Sequence, residues 1–96
     1  MIRLTKRGFR LWLVRNRKVL VGQSDNNSNC PFCRYLKSLG ARRVYIPVVG
    51  YRIVDGRMHD HNKWQRDFQN AAIRMEQELD VVGLRGREAL QVLDEL

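Results

Sequence analysis

The chain has 96 residues, 44% of them hydrophobic and 29% charged, with a formal net charge of +8. A protein of this size buries only about 60–65% of the surface its unfolded chain exposes, so its core is thin and a staple is worth seeking. No apolar run approaches the ~18 residues that a membrane span requires, which excludes a membrane-spanning protein, and no membrane partner is expected. The charge is divided unevenly: residues 1–54 carry twelve basic side chains and one acid, Asp25, whereas residues 55–96 carry six basic and nine acidic ones. A basic half of that density attracts phosphate backbones or an acidic protein surface, and the attraction falls with salt.

At the N-terminus, MIRLTKRGFRLWLVRNRK mixes basic residues into its apolar stretch and has no small-residue cleavage site. It reads as mature structure, with a cytoplasmic setting as the expectation. Phe9, Leu11 and Leu13 alternate with Arg10, Trp12 and Val14, the period of a half-buried strand. With Arg15-Asn16-Arg17-Lys18 as a polar turn and Val19-Leu20-Val21 as the return, this predicts a first hairpin. Residues 22–29, GQSDNNSN, predict a polar loop and the most mobile segment. Pro31 suits the first turn of a helix capped by Cys30 or Asn29, with Phe32, Leu36 and Leu39 on its apolar side and Gly40 at its end.

Val44 to Val49 is β-branched and apolar, but Pro47 cannot donate to a ladder, so an edge or bent strand is expected, with Gly50 as a bulge. Tyr51–Val54, the Asp55-Gly56 turn and Arg57-Met58-His59 predict a second hairpin. Trp64, Phe68, Ala71, Met75, Leu79 and Val82 recur at steps of three and four, the stripe of an amphipathic helix, and Asn62 and Gln65 are spaced as a capping box. Gly83 and Gly86 are expected to break that helix before a last short one over residues 87–96, with Leu90 and Leu93 on one side. The fold class expected is α+β: two β-hairpins with one short, one long and one C-terminal helix, forming a single small domain over residues 1–96.

All the cysteines and histidines lie in two close pairs, Cys30-Pro-Phe-Cys33 and His59-Asp-His61. Four soft or borderline ligands in two pairs have the composition of a tetrahedral structural Zn2+ site. A C-x₂-C at a helix start turns both sulfurs to one point, and H-x-H in extended chain projects both imidazoles to one side. Cys30, Cys33, His59 and His61 are therefore the candidate zinc ligands, and the site would staple a thin core.

The same cysteines suit redox chemistry, because a thiol at a helix N-terminus is acidified by the dipole and exposed amides. The stretch from Lys18-Val-Leu-Val through NCPFCRYLKSLG to Ile46-Pro47 and Val54-Asp55-Gly56 is locally similar to glutaredoxin-like proteins. That resemblance implies thiol oxidoreductase activity at Cys30 and Cys33. It departs from the family in having only 13 residues between Cys33 and Pro47, too few for an intervening strand and helix, and in its N-terminal segment. His59-Asp-His61-Asn62 also resembles the metal fingers of some nucleases, but four ligands would close the site and leave no open position for hydrolysis. Asp60 and Asp67 read as helix-start charges.

The expected function is binding, without catalysis. The basic N-terminal half would hold nucleic acid, DNA or RNA, or a nucleoprotein complex, through Arg3, Lys6, Arg7, Arg10, Arg15, Arg17 and Lys18, extended by Arg42 and Arg43. Trp12, on the outer side of the expected hairpin, would stack on a base or cover a neighbouring helix. The alternative is a small inhibitor or adaptor that docks on an acidic protein surface. The acidic C-terminal helix would be a solvated face, or would fold over the basic half.

Overall fold

Thr5 opens the first element. Its backbone is extended and its hydroxyl accepts the Gly8 amide at 3.1 Å, the arrangement of a helix N-cap. Helix α1 follows over Lys6–Arg15. The computed structural model describes residues 2–48 and 50–96, and α1 corrects the first hairpin expected from the sequence. The apolar residues at 9, 11, 12, 13 and 14 satisfy both a strand and a helix period. The surrounding Lys, Arg and Leu are good helix formers, and the Thr5 cap adds a start signal. Phe9 and Leu13, one helical turn apart, are fully buried, while Leu11, which the alternation placed beside them, is 48% exposed.

Strand β1 (Leu20–Gly22) pairs antiparallel with β5 (Leu84–Arg85), so its partner lies at the far end of the chain. Gly22 has φ +127, and a Cβ there would run into the backbone of Asn29 and Cys30. Only glycine lets the chain turn back so closely. The loop expected to be most mobile is hydrogen-bonded along its length: the Gln23 amide donates to Asn29 O at 3.0 Å and the Ile46 amide to Asn27 O at 2.8 Å. Helix α2 (Pro31–Ser38) starts as expected, with Cys30 as its cap and Pro31 in the first turn. Leu39 lies beyond the helix and is exposed, so the apolar side ends at Leu36.

The strand expected over residues 44–49 is only Val44–Tyr45, β2; Val49 lies outside the described residues. The chain leaves the sheet at Ile46, whose amide is spent on the loop, and Pro47 has no amide to return to it. The second hairpin forms as read: β3 (Tyr51–Val54) and β4 (Arg57–Asp60) are joined by Asp55 (φ 49) and Gly56 (φ 85), the two positive angles of a type I′ turn. A three-stranded antiparallel sheet results, ordered β2-β3-β4.

Helix α3 (Lys63–Leu79) begins with the expected capping box: the Gln65 amide donates to Asn62 Oδ1 at 3.3 Å, and the Asn62 amide to Gln65 Oε1 at 2.8 Å. It stops at Asp80, which takes φ 53, so Val82 falls outside the stripe and is 76% exposed. Gly86 is the first residue of α4 (Gly86–Asp94) instead of a breaker before it. The fold is thus α+β with four helices and two small antiparallel sheets among the described residues.

The core centres on three fully buried rings: Phe9, Phe32 and Phe68 stand 4.8–5.1 Å apart, centroid to centroid. Each contributes about 2–3 kcal/mol by leaving water. Leu13, Leu36, Ile46, Leu84 and Leu93 surround them, so every helix contributes to one cluster. No described helix is long and apolar enough to cross a membrane.

Candidate functional site

Three groups of side chains carry chemistry: the two thiols, the two imidazoles, and the cations of the N-terminal half.

Cys30 caps α2 and Cys33 lies in its first turn, which brings the two Sγ atoms to 3.0 Å. Both residues are buried. The Cys33 amide donates to Cys30 Sγ at 3.4 Å, and the Cys33 thiol reaches Asn27 O at 3.4 Å. Burial pushes the Cys30 thiol well up from its ordinary pKa, whereas the hydrogen bond from Cys30 pulls Cys33 down. Any thiolate in the pair is therefore borne by Cys33, with Cys30 as the protonated donor. This is a close, free dithiol, shielded from solvent.

The histidines differ in burial. Arg57–Asp60 is exposed throughout, His59 included. His61 follows the end of the strand and turns inward: it is 4% exposed, its ring meets Phe32 edge-on at 5.7 Å, and Nδ1 is 3.0 Å from Gln69 Oε1. Burial, reinforced by the charges of Arg52 and Arg66, lowers its pKa to about 4. The His61 amide donates to Gly50 O at 2.8 Å, which continues the β3–β4 register by one residue, so the two imidazoles are separated by depth of burial. Among the described residues, no three His, Cys, Asp or Glu side chains are grouped to hold a metal. Of the four expected zinc ligands, the fold brings together Cys30 and Cys33, and it does not gather His59 and His61 with them.

The cations divide between two faces. Lys6, Arg7, Arg10 and Arg15 lie along α1 and are exposed, and Arg17 and Lys18 follow in the exposed turn to β1. Arg10 is engaged: Nε and Nη2 donate to the two oxygens of Asp94 at 2.9 and 3.0 Å, joining α1 to the acidic end of α4. This pair holds the Asp94 carboxyl below its usual range. No ion pair forms on Lys6, Arg7, Arg15, Arg17 or Lys18 among the described residues. Trp12 is not on this outer face. It packs half-buried against the core, 6.1 Å from Phe9 and 5.6 Å from Tyr35 on α2, so of its two expected placements it takes the one that covers a neighbouring helix. Arg42 and Arg43 sit apart, before β2, where their amides bind Asp55 Oδ1 at 2.9 and 2.8 Å.

Arg3 belongs to a different feature, a cleft of about 830 Å³ between the N-terminal segment and the β3–β4 hairpin. Arg52 stands opposite His59 and Val54 opposite Arg57, so these four side chains share the sheet face that borders the cleft. Arg52 and Arg57 were absent from the cations singled out in the sequence. The signal was present, because a two-residue Asp-Gly turn sets this register.

The chain matches no family model, no curated protein and no solved structure.

Proposed function

We propose that the protein binds the phosphate backbone of a nucleic acid through α1 and the turn that follows it. One observation carries this reading: Arg7, Arg15, Arg17 and Lys18 are exposed on one continuous segment and form no ion pair among the described residues. The carboxylate of Asp94 on the neighbouring helix pairs with Arg10 and also lies within electrostatic reach of Lys6. A rigid helix that displays unpaired cations in succession suits a linear polyanion, whose condensed counterions it releases on binding.

The test measures affinity for unrelated duplex and single-stranded oligonucleotides across salt concentrations, for the native chain and for a variant with Arg7, Arg15, Arg17 and Lys18 replaced by Gln. Each backbone contact contributes a slope of about −0.9 on duplex DNA and −0.7 on single strands, so loss of four contacts flattens the dependence by roughly three. Affinity falls by a similar factor for every sequence, because phosphate contacts carry no base information. If the native protein has no salt-dependent affinity for either form, the reading is overturned and the face serves an acidic protein partner.

A further inference from the structure

The geometry points to a second binding site, in the cleft between the N-terminal segment and the β3–β4 hairpin, for the phosphoryl group of a nucleoside monophosphate, either free or at the end of a strand. This inference is independent of the α1 face, since none of the cations named there lines the cleft.

Arg52 carries the argument. Its side chain is half-buried on the inner face of β3, and its Nη1 is buried with no hydrogen-bond acceptor among the described residues. Burial lowers the pKa of this guanidinium, the sign of a cation that has lost water without gaining an anion. Such a group is costly in a small protein unless something compensates it. An arginine fork matches a phosphoryl group well, because its N–H donors bind two oxygens at once.

The surroundings fit the same ligand. Arg57 and His59 flank Arg52 on its sheet face and add donors, and Arg3 lines the opposite wall. The two carboxylates at the cleft belong to the ends of the hairpin. Asp55, in the turn, directs Oδ1 to the amides of Arg42 and Arg43, and Asp60 ends β4. Ile2, Leu4 and Val54 supply apolar walls. A volume of about 830 Å³ lies in the range of small-molecule sites and exceeds what phosphate alone needs. Cationic donors beside apolar walls suit a phosphate attached to a flat organic group.

Calorimetric titration with adenosine 5′-monophosphate, adenosine and inorganic phosphate tests the site on the full chain. The monophosphate is expected to bind at least tenfold more tightly than adenosine. Arg52→Gln and the exposed Arg57→Gln each weaken it at least tenfold, while Arg74→Gln, on α3, leaves it unchanged. Thermal melting of Arg52→Gln equal to or above that of the native protein shows that the fold is intact. Paired single strands with a 5′-phosphate or a 5′-hydroxyl separate the two sources. Tighter binding of the phosphorylated strand assigns a strand end, and a preference confined to the free monophosphate assigns the mononucleotide. Equal binding of adenosine and its monophosphate, or native affinity in both Arg52→Gln and Arg57→Gln, overturns the site whatever the salt dependence of α1.

Discussion

The Glu76 carboxylate receives the Ser24 amide at 2.9 Å across 52 positions of sequence. Its other oxygen receives the Gly83 amide, also at 2.9 Å. One buried side chain on α3 thus holds the loop before the two cysteines and the turn before β5, and satisfies two amides that water does not reach.

Glu76→Ala leaves both amides without an acceptor, and each costs about 1–3 kcal/mol when buried and unpaired. The expected loss is about 2–6 kcal/mol in urea unfolding. Glu76→Gln, which keeps one oxygen acceptor, falls between the two. Native stability in Glu76→Ala contradicts the clamp.

Gly22→Ala places a Cβ against the backbone of Asn29 and Cys30 at φ +127, where neither the angle nor the space accepts it. Strain of this type costs about 1–3 kcal/mol before the contact is added. A fall of about 2 kcal/mol or more is expected, with the fastest new amide exchange in residues 22–30. A fall below about 0.5 kcal/mol shows that the loop is free to move away.

His61 makes stability depend on pH. Its folded pKa of about 4 lies below the ordinary 6.5, so between those values the unfolded chain holds the extra proton. Stability from this residue is full above pH 6.5 and declines as pH falls toward 4, by up to about 1.4 kcal/mol per unit. Unfolding measured between pH 7 and 5 stays above the usual carboxylate range and isolates the effect. His61→Gln removes the slope whatever it does to absolute stability, and a persistent slope assigns the effect elsewhere.

Cys30 and Cys33 are expected to resist iodoacetamide in the folded protein at least about tenfold more than in urea, because burial withholds both sulfurs. In a local opening that leaves the first turn of α2 intact, Cys33 reacts first, since Cys30 hydrogen-bonds to it and favours its thiolate. Oxidised glutathione, itself reduced in the exchange, is expected to leave one intramolecular disulfide, recognised by the loss of two hydrogens per chain. Equal labelling of folded and unfolded protein contradicts this shielding. Zinc binding, expected from the sequence, would start from this thiol pair, and native mass spectrometry before and after chelation reads it directly.

The parts of the fold legible in the sequence are those set by short-range chemistry. The Asp55-Gly56 turn, the Asn62–Gln65 capping box and Pro31 at the start of α2 each depend on residues within one turn of one another, and each forms as read. The α+β class follows from the mix of helix and hairpin signals, and the charge division from the order of the residues. Tertiary packing decided the rest. Phe9 to Leu13 fits a strand as well as a helix until Phe32 and Phe68 provide a surface that takes Phe9 and Leu13 on one helical side. The same choice turned Trp12 inward and left α1's cations outside. Leu20–Gly22 is a strand, but its partner is more than sixty residues away, a pairing that no local pattern encodes. H-x-H carries the period of two but not the depth of burial: just past β4, His61 joins the core through Gln69 and Phe32, while His59 stays exposed. The cleft arises because a segment before α1 and a hairpin some fifty residues later face each other. The hairpin register fixes which cations border that space, and only the folded chain encloses it.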